Sequence, residues 1–405
     1  ETKTVAELLG VYTVAEILAA NYTLSEMKVG GINAAQLKAE GKTASELVAV
    51  YTVTELLAAL YTVIQLHGAN VSAAQLKDEG KTVAELIVVY TVAELLAANY
   101  SITELRDDGI TAAELKAESK LVSHLKSDYT IAELKVAYEI DELLVEFTFA
   151  QLRTGGVTAT EMKSAGKLAS ELVGIYTVAE LLVAVYSISN LKAANVSATQ
   201  LKAEQKTVDD LKVDYTISEL KVAYTIDELL VEFTFAQLRT GSISASEMKT
   251  AGKLASELVG IYTETELLDA NYTFSDLKDG GVTVEQLKND AGKTASELKD
   301  DFSLAELVIG GFEATELKLA DYSATQLKEE NFSASQLRIG GYTAVQLKQA
   351  NYTIPQMKAA NYTAANMKSA LFQANLLRRG GFAKTKLIAG GYRLSTGNED
   401  EITDD

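Results

Sequence analysis

Carboxylates outnumber every other reactive group in this chain: 56 Asp and Glu against 37 Lys and Arg, so acid–base work is the first chemistry to weigh. Most of the glutamates already have another task. They stand three residues after a Ser or Thr, where a carboxylate reaches back to the cap amide of a short helix. The acidic pairs Asp141-Glu142 and Asp227-Glu228 are copies of one another. Asp107-Asp108, Asp300-Asp301 and Glu329-Glu330 fall near helix ends, but no loop has the alternating oxygens and glycine of a calcium-binding EF-hand. They read as a solvated charged edge. There is no Cys, which excludes disulfides, thiolate metal sites and Cys nucleophiles, and two His leave little room for a histidine metal site or triad. His124 takes the glutamate slot of a copy whose cap is Leu121, and His67 takes a slot usually held by Lys or Leu; both read as surface or boundary residues. The pairs Gly30-Gly31, Gly155-Gly156, Gly280-Gly281 and Gly340-Gly341 fit left-handed helix ends rather than phosphate cradles, because no P-loop Lys-Ser/Thr follows. Pro355 falls at a first-turn position where a missing amide proton costs little. No catalytic, cofactor or metal residue is expected.

One modification motif recurs. Asn21, Asn70, Asn99, Asn195, Asn271, Asn331, Asn351 and Asn361 each stand two residues before a Ser or Thr, the form of an N-glycosylation acceptor. If Asn closes one helix and Ser/Thr caps the next, the motif arises by construction; secretion by a eukaryote would make these corners glycan sites. The sequence leaves location open, with an extracellular or surface position favoured over the cytoplasm.

The elements that hold these residues come from a repeat. Tyr12-Thr13-Val14-Ala15-Glu16-Ile17-Leu18-Ala19-Ala20-Asn21 is followed by Tyr22-Thr23-Leu24-Ser25-Glu26-Met27-Lys28-Val29-Gly30-Gly31, and about 40 such copies run to about Gly391. About 33 cap positions are Ser, Thr or Asn and about 33 of the positions three residues on are Glu or Gln. The opener, the residue before the cap, is usually Tyr, Phe, Val or Ile. It can close as a staple on the Leu or Met four places past the cap. Helices this short are marginal alone, because nucleation costs more than a few hydrogen bonds return, so each copy must bury its opener and its Leu against other copies. The fold class is therefore all-α: a solenoid of about 40 short capped helices.

A longer code lies over the short one. Successive core leucines are spaced roughly 9, 10, 10 and 10 residues apart, giving a super-period of about 39. Openers cycle through Lys (Lys3, Lys42, Lys81), Tyr (Tyr12, Tyr51, Tyr90), Tyr again (Tyr22, Tyr61, Tyr100) and Ile or Val (Ile32, Val71, Ile110). This suggests four helices per superhelical coil; the competing arrangement is a zigzag of helix pairs with a 20-residue unit. The Gly-free ends of the Lys-first copies are expected to be tighter corners that bury their valine. Lys120 to Lys167 and Lys206 to Lys253 each span five copies, and a block of about 86 residues has been duplicated. The domain reading is one solenoid over 1–391, with the four-type code in 1–292, more uniform copies in 293–391, and an acidic tail, expected to be disordered, in 392–405. Thr4 is already a cap and no capping repeat precedes it, which suggests a fragment or an end that meets another copy.

The template Phe/Tyr-Ser/Thr-Ala-x-Glu/Gln-Leu-Lys-x-Ala-Gly/Asn, carried by copies such as Phe332 to Gly341, resembles decapeptide tandem repeats in proteins of protists, algae and large DNA viruses. The resemblance implies a helical array and brings no activity. A formal charge of −19 argues against nucleic acid and anionic membranes as partners, and no apolar run approaches a membrane span. The expectation is a non-enzymatic structural protein, a rigid rod that associates with itself end to end or laterally. The alternative is a scaffold that binds another protein along a groove.

Overall fold

The computed structural model describes residues 3–394 and 402–403. Among them are forty helices of four to six residues and one antiparallel pair of two-residue strands, Arg393–Leu394 with Ile402–Thr403. The expected disorder of the tail falls largely on residues 395–401 and 404–405, outside the described residues. The helices form two compact units, Glu1–Glu204 and Gln205–Asp405. The same local construction runs through each.

A ten-residue copy is one capped helix plus one Schellman ending. In the copy from Tyr22, Thr23 caps the helix Leu24–Val29: its hydroxyl accepts the Glu26 amide proton, and the Glu26 carboxylate accepts the Thr23 amide at 2.8 Å. After the helix, Gly31 turns left-handed at φ 97°, and Ile32 donates its amide to the Met27 carbonyl at 2.9 Å. Ile32 thus closes one helix and opens the next, so no residue is left for a linker. Most nine-residue copies omit the left-handed residue, though the two that contain Gly174 (φ 89°) and Gly260 (φ 80°) reach the same length with one. After the helix Ala44–Leu47, Tyr51 donates to the Leu47 carbonyl at 2.8 Å through an ordinary helical bond. There the missing residue is why the spacing drops from ten to nine. The corner valines Val50 and Val89 are only half-buried, not buried as expected.

The core is a file of leucines. Leu37, Leu47, Leu56, Leu229 and Leu347 are fully buried, and no polar residue is buried among the described ones. Burying each leucine contributes roughly 1.5–3 kcal/mol, which helices this short need.

Helices pack on the helix two places along: Ala44–Leu47 on Val63–Gly68, and Ala324–Glu329 on Ala344–Gln349. Tyr hydroxyls follow the same step. Tyr51 donates to the Ile32 carbonyl at 2.7 Å, Tyr90 to Val71 at 2.6 Å, Tyr262 to Ile243 at 2.7 Å and Tyr362 to Tyr342 at 2.6 Å, each 19 or 20 residues back, and Tyr138 reaches the Lys120 carbonyl 18 residues back. The expected coil of four helices is thereby corrected. The stacking unit is two helices, about 20 residues, because helices pack on their next-but-one neighbours and the Tyr hydroxyl bonds close at 18 to 20 residues, not at 39.

Candidate functional site

The chemically distinctive region is the seam between layers. The Tyr hydroxyl binds backward; a cation binds forward. It comes from the residue just after the core leucine, which is usually Lys. Lys328 donates to the Asn351 carbonyl at 2.7 Å and lies 5.1 Å from the centre of the Tyr352 ring. Lys28 donates to the Val50 carbonyl at 2.8 Å, lies 4.9 Å from the centre of the Tyr51 ring and meets the Glu55 carboxylate at 2.6 Å. Where the copy ahead has an acidic capping box, as for Lys28, the cation touches three groups; where that box is Gln, as Gln356 is for Lys328, it touches two. In both cases it satisfies a carbonyl left free at a helix C-terminus and covers the aromatic opener; in the first it also pairs with the capping-box carboxylate of the copy that opener begins. The pairs are half-exposed, so each contributes little singly, and their number is what counts.

This contact explains the 39-residue code. The cation's slot faces the opener three copies ahead. Opposite Tyr or Phe it is Lys or Arg: Lys38 lies 4.7 Å from the Tyr61 ring centre, Arg153 5.6 Å from Tyr176, Lys249 4.5 Å from Tyr272 and Lys348 4.7 Å from Phe372. By the same three-copy step, Val48 is matched to Val71, Leu57 to Lys81, Ile87 to Ile110 and Leu96 to Lys120. Lys135 and Lys221 depart from the rule, with Val157 and Ile243 three copies ahead; they reach the carbonyls of Gly156 at 2.7 Å and Ser242 at 2.9 Å instead. Sequence reasoning gave these lysines no role. The available signal was the co-variation of a residue with an opener some 23 positions downstream.

The capping boxes and the seam perturb titratable groups. Glu46 is lowered to about 2, first by the hydrogen bond from Lys42 and then by the Thr43 amide. Glu306 is also lowered to about 2, by the Ser303 amide and then Lys278. Burial pushes the Tyr176, Tyr262 and Tyr342 phenols up to about 12, so these hydroxyls stay donors at any ordinary pH.

All eight sequon asparagines are exposed and left-handed, with φ between 56° and 65°. They are the closing residues of their helices, and each following Ser or Thr is a helix cap, so backbone geometry alone accounts for the motif. The Gly-Gly pairs divide their labour. In Gly30-Gly31 only the second residue is left-handed; Gly30 has φ −74°, and a Cβ there would lie 2.4 Å from the Cβ of Val5. The first glycine is a close-approach residue between layers, which the sequence reading had assigned to a helix end. His124 Nδ1 accepts the Leu121 amide proton at 3.0 Å, holding half of a capping box. His67 sits in the cation slot against Tyr90. No group of three or more potential ligands among the described residues is placed to hold a metal ion, and no helix among them is long and apolar enough to cross a membrane.

Fold and seam together define an α-solenoid made of copies of about ten residues, each with one short capped helix. A family model described as a decapeptide repeat region matches residues 292–347 and 321–394, and with the regular copies along the rest of the sequence the chain is a decapeptide tandem-repeat protein. The match lies where nine-residue copies are fewest and openers are most uniform. No curated protein matches the chain.

Proposed function

We propose that the chain is a non-enzymatic structural protein whose layers associate end to end into a filament or sheath. One observation carries this reading: the same bonds recur at seam after seam. A Tyr hydroxyl binds back, a Lys ammonium binds forward, and a leucine file fills the centre. Surfaces that mate this repetitively inside a chain are suited to mate between chains, since one layer face serves as well as another. Sedimentation velocity and electron microscopy across a wide concentration range test it. Particles that lengthen with concentration support the reading, and strictly monomeric chains throughout count against it.

A second reading has its own observation. Two residues past the core leucine, the exposed position varies between copies in a patterned way: Val29, Val183, Ile309 and Ile339 project there, while other copies carry charge or alanine. That variation suits a scaffold that binds another protein along this line. Replacing Ile309 and Ile339 with Ser would abolish binding of such a partner and leave self-association intact.

A further inference from the structure

Charge is unevenly distributed within the unit Gln205–Asp405. Residues 264–330 hold 16 Asp and Glu against six Lys, a formal charge of −10. Residues 331–394, a stretch of nearly the same length, hold nine Lys and Arg and no acid. The five acids that follow, in residues 399–405, are fewer than those nine cations. The switch has a local cause. Both stretches mostly keep a cation in the slot after the core leucine, but the acid that faces it in the first is missing from the second. Lys278 pairs with Glu306 at 3.0 Å and Lys288 with Glu316 at 2.9 Å. Beyond residue 330 the capping boxes carry Gln336, Gln346, Gln356 and Asn366, and Lys348 and Lys368 reach the carbonyls of Leu371 at 2.9 Å and Gly391 at 2.5 Å. Both charges lie at the surface. Asp269, Asp279, Asp290, Asp300 and Glu329 are exposed in the first stretch, as are Arg338, Lys348, Lys358, Arg379 and Lys386 in the second. Helix Ala314–Leu319 packs on Ala334–Ile339, and Ala324–Glu329 on Ala344–Gln349, so the acidic patch passes directly into the basic one along the stack.

We propose that two copies of the chain pair side by side and antiparallel through this region, residues 264–330 of one against residues 331–394 of the other. A two-fold axis near the helix Ala324–Glu329 makes both contacts at once and leaves neither patch over, whereas a parallel pair sets like charge against like. The occupant follows from charge complementarity: the acid that neutralises the basic patch is carried beside it on the same chain, in nearly matching amount. A nucleic acid is disfavoured, because 51 acids precede the basic patch and five follow it. Complementary charge mainly sets orientation and encounter, so the pairing is sensitive to salt. The inference rests on the self-association reading and deepens it, adding a lateral, charge-dependent contact to the end-to-end one.

Sedimentation velocity of the full chain at about 0.05 M and about 0.5 M salt tests the contact. A dimer is expected at the lower salt, with its dissociation constant raised about tenfold or more at the higher. Arg379→Glu with Lys386→Glu is expected to weaken the dimer by a similar factor at low salt. Each substitution installs a residue that other copies hold there, Glu329 at the position equivalent to 379 and Glu306 at that equivalent to 386, so the variant keeps its fold. Orientation is read from introduced cysteines, since the chain has none. Asp279→Cys and Arg379→Cys, in separate chains, stand five copies before and five copies after the helix Ala324–Glu329. Mixed and treated with a short bismaleimide, they are expected to cross-link to each other and hardly to themselves. Dimers indifferent to salt and to the charge variant overturn the proposal, as do cross-links between like chains. So does a chain that stays monomeric at both salts, or that captures an added single-stranded oligonucleotide instead of pairing. Particles that lengthen with concentration at both salts but show no cross-link between the two cysteine chains would refute the antiparallel pair and leave end-to-end stacking standing.

Discussion

The copies from Lys3 to about Asn289 and those from Asp321 to Ser369 use one fold with two chemistries. In the first stretch, openers alternate between aromatic and smaller residues within each file of stacked helices, and the facing slot alternates between cation and aliphatic. In the second, nearly every opener is Tyr or Phe and nearly every facing residue is Lys or Arg. Tyr262 in the first stretch donates to an Ile carbonyl, and Tyr362 in the second donates to a Tyr carbonyl, at 2.7 and 2.6 Å. The bond is indifferent to the side chain behind it. The difference teaches that stacking is set by backbone groups, while side chains in the slot only have to match the opener ahead. The capping acid differs too. The first stretch mostly uses Glu, as at Glu46 and Glu55; the second uses Gln326, Gln336, Gln346, Gln356 and Asn366, which carry no charge to lose.

The largest expected effect is common to both stretches and would break the comparison if it were not. Leu229→Ala and Leu347→Ala each remove a fully buried side chain and should cost about 2–5 kcal/mol in denaturant unfolding. Thr225→Glu copies what Glu139 already does at the equivalent cap, so it should cost clearly less than Leu229→Ala. Equal losses from the two would mean that the leucine file is not the core.

Next comes the close approach. A Cβ at Gly155 would lie 2.4 Å from the Ile131 Cβ, so Gly155→Ala should cost about 1–3 kcal/mol by the same measurement. The double variant with Ile131→Ala should recover little of that loss, because a Cβ at Gly340 would still lie 2.7 Å from the Cβ of the alanine it faces, Ala314.

Acid should separate the stretches. In the first stretch the Glu46 carboxylate is held near 2, below its ordinary value of 4.5, so its contribution is full above that value and disappears as pH falls toward 2. Hydrogen exchange should show residues 43–60 losing protection across that window while residues 343–366, capped by amides, lose less. Equal loss in both would mean that capping charge does not hold the first stretch.

The smallest effect sharpens the matching rule. Lys348→Leu removes a cation 4.7 Å from the Phe372 ring centre and should cost about 0.5–1 kcal/mol. Leu57→Lys places a cation in the slot matched to the Lys81 opener and should be destabilising rather than neutral. A stabilising Leu57→Lys would refute the three-copy match.

Much of the fold was legible because capping is local. Thr23 and Glu26 lie three residues apart, so their bond can be read from their spacing alone, and the left-handed Asn and Gly residues follow from the same short window. The layer step was not legible. A 39-residue repeat in residue types admits either four helices per turn or two turns of two, and only the hydroxyl of Tyr51 on the carbonyl of Ile32 decides between them. Gly30 and Gly31 look equivalent in sequence, yet one answers to backbone torsion and the other to Val5, 25 residues away. The lysine at the seam was hidden for the same reason: the ring and carboxylate that Lys28 meets stand 23 and 27 residues downstream, outside any local window, and its carbonyl partner leaves no mark on residue identity.

The central claim is that each layer contains two helices. Since the chain has no cysteine, pairs can be introduced cleanly. Lys328→Cys with Asn351→Cys joins positions on next-but-one helices, where Lys328 Nζ now lies 2.7 Å from the Asn351 carbonyl. Lys328→Cys with Leu371→Cys joins positions four helices apart. Under mild oxidation or with a short bismaleimide, the first pair should cross-link within one chain and the second should not. Efficient cross-linking of the second pair, with none in the first, would contradict the account.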